Sequence, residues 1–424
     1  MTCADLVVAG LDQLLTCGGP APRTGPAMRE VGLREKAWIA GYRGRIVFVG
    51  QEKEFRQRVQ PEEGARIIDG SGLVGLPGFI DCHTHLPFAG NREKEFSLRL
   101  QGYTYQQLAA MGLGIQTTVL ATREASREEL KKLCLNRLQT MLLNGTTTVE
   151  AKSGYGLNFK DEIKQLEVVK ELAGEQPVSL VPTFMGAHEI PPEYKSERKT
   201  YIELLKNKIM PEVRRRNLAE FCDIFCEPTV FNLEETEELA GAALKLGYEL
   251  KIHSDEFVPI GGTELAVKLG ARSAEHLINI TPEGIDRLSR SRTAAVLLPG
   301  VSFFLMMDKK APARELLDRG AIVALATDYN PGSSHLMSML FVLQLGVFTL
   351  RLTVEEAINA CTINAAYAID RQDRCGSLEP GKDFDLILCD IPSYLSLAYE
   401  LGRNPVRTVI KGGRVVVADS RPVV

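Results

Sequence analysis

The sequence predicts an α/β fold, a (β/α)8 TIM barrel carrying a small β-sandwich domain built from both chain termini. Three observations predict it. Short β-rich runs alternate with amphipathic helical stretches eight times between about residues 76 and 369. Both ends of the chain read instead as short strands without such helices. The length of 424 residues exceeds the roughly 250 that a barrel needs and leaves room for a second, smaller unit.

Taken in order, residues 1–73 form the N-terminal part of the sandwich, with strands at 5–9 and 45–49 around a loop rich in Gly and Pro at 18–26. Residues 74–377 form the barrel. Its strands end near His85, Lys152, His188, Cys226, His253, His276, Pro299 and Asp328. Helices are expected between them, for example at 161–172, 233–245 and 311–319. A final helix over 353–369 opens on Thr353 with Glu356 three residues on, the pattern of a capping box. Residues 378–424 complete the sandwich, with strands at 385–389, 408–410 and 414–417, the last two a hairpin through Gly412 and Gly413. The first crossover, 86–145, is long enough to form a lid or substrate-binding insert over the barrel mouth. The charged stretch 189–208 is expected at the surface of the same face.

Composition excludes several classes. A net charge of −4 and no basic patch interleaved with aromatics argue against nucleic acid or an anionic membrane as partner. Nine cysteines, scattered without a repeating spacing, read as reduced thiols, with Cys222 and Cys226 as buried apolar ones. No basic region precedes the first apolar residues. The longest apolar stretch, 294–307, is broken by Pro299 and Gly300 and too short to span a bilayer. A cytosolic protein is expected.

The chemistry lies in the histidines, of which there are six. His83 and His85 stand two apart at the end of a strand opened by Leu76-Pro77-Gly78, so both imidazoles share one face. His253, His276 and Asp328 each end another strand. A parallel barrel opens all its strand C-termini on one face, so these side chains converge there although they are far apart in the chain. A single strand-end histidine is more often a hydrogen-bonded core residue. Their coincidence at one rim points to a metal site.

His-x-His on the first strand, His on the fifth and sixth and Asp on the eighth resembles the amidohydrolase superfamily. The resemblance implies that His83, His85, His253 and Asp328 bind the metal, that His276 sits beside the water, and that the terminal sheets are the superfamily's β-sandwich. Two-metal members carry a carbamylated lysine on the fourth strand. Residues 220–226 contain no lysine and Lys152 closes the second strand, so one ion per subunit is expected.

Within that superfamily the chain is similar to the imidazolonepropionase family over essentially its whole length. The similarity is carried by residues 77–85, 152–157, 186–188, 253–257 and 327–333. Lys152-Ser153-Gly154-Tyr155-Gly156 is uncommon among other amidohydrolases. Tyr329 and Ser333 stand where phenylalanine and threonine are usual and keep their character.

The resemblance implies hydrolysis of 4-imidazolone-5-propanoate, a small-molecule substrate, to N-formimidoyl-L-glutamate in histidine breakdown. The cofactor implied is one divalent or trivalent ion, zinc or iron, which lowers the pKa of a water to about 7. It assigns catalysis to Glu256, His276 and Asp328, with Glu256 also touching the substrate and carrying a proton to the leaving nitrogen. Without the resemblance, a loop glutamate reads as solvated. Arg92 is expected to clamp the propionate, and Tyr155, His188, Asn330, Gly332 and Ser333 to contact substrate at the same mouth. A homodimer is compatible with all of this. The rival readings are another amidohydrolase chemistry, such as deamination of a heterocycle, and a non-catalytic scaffold like the dihydropyrimidinase-related proteins. That second path usually loses ligands that are intact here.

Overall fold

The computed structural model describes residues 1–103, 107–108 and 111–423. The chain begins in a mixed sheet with β1 (Thr2–Leu15), β2 (Leu33–Tyr42), β3 (Arg45–Gln51), β4 (Val59–Asp69) and β5 (Val74–Pro77). β1 is the central strand, pairing antiparallel with β2 and parallel with β4 and β5. Its register against β2 slips between Val8 and Leu11, where Gly10 at φ +70 accommodates the bulge that side-chain-bearing residues resist.

The barrel follows, with β6 (Phe79–Asp81), β7 (Thr146–Lys152), β8 (Ser179–Ala187), β9 (Phe221–Cys226), β10 (Glu249–Ser254), β11 (Ser273–His276), β12 (Ala294–Leu297) and β13 (Val323–Leu325). Neighbours in the chain are neighbours in the sheet and all pair in parallel. Most strand residues are buried, as a sheet covered by helices on one face and closed on itself requires. Two crossover helices start on side-chain caps. Asn158 accepts from Asp161 N ahead of Phe159–Leu172, and Asn232 with Glu235 forms a capping box on Leu233–Lys245.

Closure happens at the mouth. β6 and β13 share no ladder; the joint consists of Asp328 N donating to His83 O at 3.1 Å, His85 N donating to Tyr329 O at 3.0 Å and the parallel bridge Thr84–Tyr329. Just below, Asp81 accepts from Thr327 N and Oγ1 at 3.1 and 2.6 Å. The backbone that closes the barrel therefore carries three of the expected metal ligands.

The chain then returns to the first sheet with β14 (Leu386–Cys389), β15 (Val406–Lys411), β16 (Arg414–Ala418) and β17 (Arg421–Pro422). β14 pairs antiparallel with β5 and with β15, and the Gly412-Gly413 hairpin joins β15 to β16. Leu6, Val8, Leu11, Leu14 and Ile39 from one end pack with Leu386, Leu388 and Ile410 from the other in one apolar cluster. Residues 74–77, expected to open the barrel, belong to this sheet, because β14 finds its partner there.

Two further expectations are revised. The helix expected over 353–369 is two helices, Val354–Ala360 and Ile363–Ala368. Thr353 and Glu356 form the capping box, but the chain leaves helical geometry at Thr362 (φ −127, ψ −94). The Cys361 carbonyl is thereby free to accept from Ile80 N of β6 at 3.0 Å, while Thr362 Oγ1 bonds the Ile358 carbonyl at 2.6 Å. The stretch 189–208 is less superficial than its charge suggests. Tyr201 is buried, with its hydroxyl donating to Gly186 O at 2.7 Å. The long first crossover contributes the helices Glu93–Leu100, Ile115–Glu124 and Arg127–Leu143. Eight of the nine free cysteines are buried, Cys222 and Cys226 among them. Among the described residues no helix is long and apolar enough to cross a membrane.

Thr353→Ala removes the hydroxyl that caps Val354–Ala360. It should lower unfolding free energy by about 1 kcal/mol, read as a lower denaturant midpoint at unchanged m-value.

Candidate metal centre and active-site cavity

The ladders of β6, β12 and β13 stop at Asp81, Leu297 and Leu325, so His83, His85 and Asp328 occupy the first residues beyond the sheet, while His253 and His276 lie inside β10 and β11. His83 Nε2 lies 3.1 Å and His85 Nε2 3.3 Å from Asp328 Oδ1. The His83 and His253 rings are 4.5 Å apart, those of His253 and His276 5.0 Å. Donor atoms of His83, His85 and His253 fall within 4.8 Å of one another, as do those of His83, His276 and Asp328. His276 and Asp328 both have positive φ, +74 and +50, a conformation that a histidine adopts at a cost and that turns its ring into the group.

His83 Nε2, His253 Nε2 and Asp328 Oδ1 are buried without hydrogen-bond partners. Leaving such atoms unsatisfied is costly; three imidazoles and a carboxylate around one point suit a divalent metal, and the donor set fits one. The electrostatics agree. Burial opposes a charge on His83, yet the adjoining Glu275 and Asp328 outweigh it and raise that imidazole to about 9. A proton there marks a place that attracts a cation. Burial and the neighbouring His83 hold His253 far below the usual histidine range, and burial does the same for His276, so both stay neutral, as ligation demands. Asp328 is held well below the usual carboxylate range: burial pushes the other way, but the His83 and His85 imidazoles beside it prevail.

Beneath these donors lies a layer of charge that the sequence reading missed. Lys152 Nζ contacts Glu150 Oε1 at 2.7 Å, Asp223 Oδ2 at 2.7 Å and Glu275 Oε2 at 3.1 Å. Lys251 Nζ reaches Glu275 Oε1 at 2.9 Å and Glu150 Oε1 at 3.3 Å. All five side chains are fully buried. The layer orients the ligands: His253 Nδ1 bonds Asp223 Oδ1 at 3.0 Å and His83 Nδ1 sits 2.7 Å from Glu275 Oε2, which directs each Nε2 towards the donor cluster. Asp223, His253 and Glu275 would themselves suit a cation, but the Lys152 ammonium already sits among them. Lys152, expected to be misplaced for bridging, therefore acts as a fixed positive charge. A usable signal was present, since Glu150 and Lys152, and Lys251 and His253, stand two apart in strand segments and so face the barrel interior.

Above the donors opens a cavity of about 640 Å3, lined among others by His85, Arg92, Tyr155, His188, His253, Glu256, His276, Asp328, Asn330, Gly332 and Ser333. The structure thus gathers every residue expected at the site except His83, which is buried at the floor. Glu256 is itself buried, with Oε1 3.5 Å from His276 Nδ1. Burial first, and then Asp328 and Glu227, push its carboxyl well above the usual range. Glu227 Oε1 accepts from Phe257 N at 2.8 Å and so braces the loop that carries Glu256. His188 bonds Gly154 O through Nδ1 at 2.9 Å and stacks on His85 with rings 4.8 Å apart. Gly154 has φ +116, and a Cβ there would come within 2.9 Å of Met185 O, which explains a glycine ahead of Tyr155.

Two expected contacts are already engaged. Arg92 grips Glu95 with Nε and Nη2 at 2.8 and 2.6 Å. Asn330 Nδ2 donates to Asp328 Oδ2 at 2.9 Å and its Oδ1 accepts from Gly332 N and Ser333 N at 2.8 Å each, so its side chain holds the ligand and its loop. His335, the sixth histidine, packs on Tyr329 with rings 5.1 Å apart and lies outside the donor group.

Comparison with known proteins bears on this arrangement. Residues 260–416 match the amidohydrolase family. The imidazolonepropionase of Symbiobacterium thermophilum is 45% identical over 422 residues, 99% of each chain. That of Porphyromonas gingivalis is 46% identical over 418 residues, 98% of each. Among solved structures, a zinc-bound adenosine deaminase from Xanthomonas campestris superposes with a TM-score of 0.71 at 19% identity, covering 100% of this chain and 95% of its own. Atrazine chlorohydrolase from Arthrobacter aurescens, complexed with zinc and atraton, gives 0.72 at 18%, covering 99% and 96%. At such identities the likeness is one of fold.

Lys152→Met should leave three buried carboxylates facing one another. A loss of about 3–5 kcal/mol is expected in chemical denaturation, against less than about 1 kcal/mol for Lys206→Met on the surface.

Proposed function

The chain belongs to the imidazolonepropionases of the amidohydrolase family, and from that premise we propose that it hydrolyses the cyclic amide of 4-imidazolone-5-propanoate to N-formimidoyl-L-glutamate, in the degradation of histidine. The observation that carries this reading is the gathering of His83, His85, His253 and Asp328 beneath a cavity that holds a buried glutamate whose carboxyl is pushed up by burial. In this reading those four residues would hold one ion, zinc or iron, which would supply Lewis acidity at neutral pH. His276 and Asp328 would orient the attacking water and accept its proton. Asn330 and Ser333 support this by fixing the other Asp328 oxygen.

Glu256 supplies the second proton. Opening the ring leaves a nitrogen that must be protonated, and a carboxyl kept neutral by burial is suited to donate to it. Tyr155 and His188 form the wall beside His85 and present polar groups to the ring. The free thiols and the absence, among the described residues, of a membrane-crossing helix support a cytosolic enzyme.

Elemental analysis of the purified protein should find about one equivalent of metal per chain, and the metal-replete protein should open the imidazolone ring. His253→Ala should lose both metal and turnover. Glu256→Gln should keep the metal and lose about 100- to 10,000-fold in kcat; a fully active Gln variant would remove Glu256 from proton transfer. Because burial raises the Glu256 pKa, its acid form, and the rate that depends on it, is present below that raised value and lost as pH rises through it. The basic limb of the kcat profile should therefore disappear in the Gln variant.

A further inference from the structure

The cavity wall beside His85 is built on a turn whose backbone pairs with neither sheet nor helix. Residues 153–157 run from the end of β7 to the helix Phe159–Leu172, with Gly154 at φ +116 and Leu157 at φ +49. Buried backbone groups outside regular structure must find other partners, and side chains supply them here. Glu162 Oε1 accepts from Gly156 N and Leu157 N at 2.9 and 2.8 Å, and Arg123 Nε donates to Gly156 O at 2.7 Å. These contacts shape the turn itself.

Gln165, nearly one turn beyond Glu162 on the same helix and fully buried, reaches further. Its Oε1 accepts from Tyr155 N at 3.3 Å while its Nε2 donates to Pro87 O at 2.5 Å. Pro87 lies two residues past His85, on the loop after β6. One carboxamide thus joins the backbones of the two loops that carry Tyr155 and His85. Its orientation follows from its partners, since a backbone N–H can only donate and a carbonyl can only accept. An apolar side chain offers neither function, and an ionised carboxylate would set a second acceptor against Pro87 O. Held in this way, the Tyr155 ring lies 5.9 Å from that of His85 and 5.2 Å from that of His188, with Phe88 edge-on at 6.0 Å.

We propose that Gln165 is a positioning residue of the active site: by fixing the loops after β6 and β7 to each other, it places the Tyr155 hydroxyl against the substrate. Tyr155 lines the cavity, and Gln165 stands behind it and acts through it. Such an effect is felt because a misplacement of about 1 Å in a positioned group can cost about 100-fold in rate. The assignment rests on the reading above that Tyr155 contacts the substrate.

The test is a double-mutant cycle read in binding. Calorimetry measures imidazole-propanoate, which has no amide bond to hydrolyse, on metal-replete wild type, Gln165→Met, Tyr155→Phe and the double variant. Met keeps the length of the side chain and removes both hydrogen bonds; Gln165→Leu, which removes the same two bonds, is run beside it. Gln165→Met and Tyr155→Phe should each lose about 10-fold in affinity, and the double variant no more than either alone. Gln165→Met leaves two buried backbone groups without partners, so its melting temperature should fall as well. Thr353→Ala, weakened at a helix cap away from the cavity, should bind the probe like the wild type, which separates position from stability. In turnover, Gln165→Met should lower kcat/KM in the wild-type background and change it by less than about twofold in Tyr155→Phe. A Gln165→Met protein that binds the probe as the wild type does overturns the assignment, as does one that loses the same factor again in the Tyr155→Phe background. Coupling seen in binding while the imidazolone ring stays closed overturns the reaction and leaves Gln165 in place.

Discussion

An ionised group inside a barrel is tolerable only when its charge is met by another, because removing it from water costs several kcal/mol that a lone charge cannot recover. This constraint organises the molecule. Glu150, Asp223 and Glu275 are stacked against Lys152 and Lys251 in the interior. That layer leaves one negative charge unmatched, and Asp328 above it adds a second. Two unmatched negative charges within one desolvated network are what a divalent cation neutralises, and the elevated affinity of His83 for a proton reports the same deficit. The expected ligands are held by the charge layer: Asp223 grips His253 and Glu275 abuts His83, so the fold itself sets the orientation of both rings.

The same dryness that makes the lower layer demanding makes the upper one useful. Glu256 sits where burial and neighbouring acids keep its proton on, and two tethers keep it there. Glu227 holds the backbone beyond it, and Asp255 accepts from Thr263 N at 3.1 Å on its other side. The long first crossover forms part of the cavity wall, since Arg92, Glu95, Arg99, Leu108 and Ile115 all come from it. The cavity is thus floored by strand ends and their loops and walled in part by an insertion that the barrel does not need for closure.

Much of the fold was legible from the chain alone. Alternating strand and helix patterns, the strands at both termini, the Thr353 capping box and the Gly412-Gly413 hairpin are local signals, and each depends on backbone propensity that neighbouring residues set. The metal donors were legible for the same reason, because a residue at the tip of a parallel barrel strand has only one rim to face. The break at Thr362 was not legible. Nothing local forbids a continuous helix through Asn359-Ala360-Cys361-Thr362, and the break is drawn out by β6, whose Ile80 N needs the Cys361 carbonyl. Residues 74–77 likewise read as the opening of the barrel until β14 arrives from more than 300 residues away to pair with them.

By itself the sequence determined the element types, the order of strands around the barrel and the side chains that reach its mouth, since periodicity and strand direction are local properties. Only the tertiary structure decided which charges meet. Lys152 among three acids and Glu95 on Arg92 are products of through-space distance, and charge matching in a low-dielectric interior depends on distance alone. That is why the candidate metal centre could be read from spacing, while the charge layer supporting it could not.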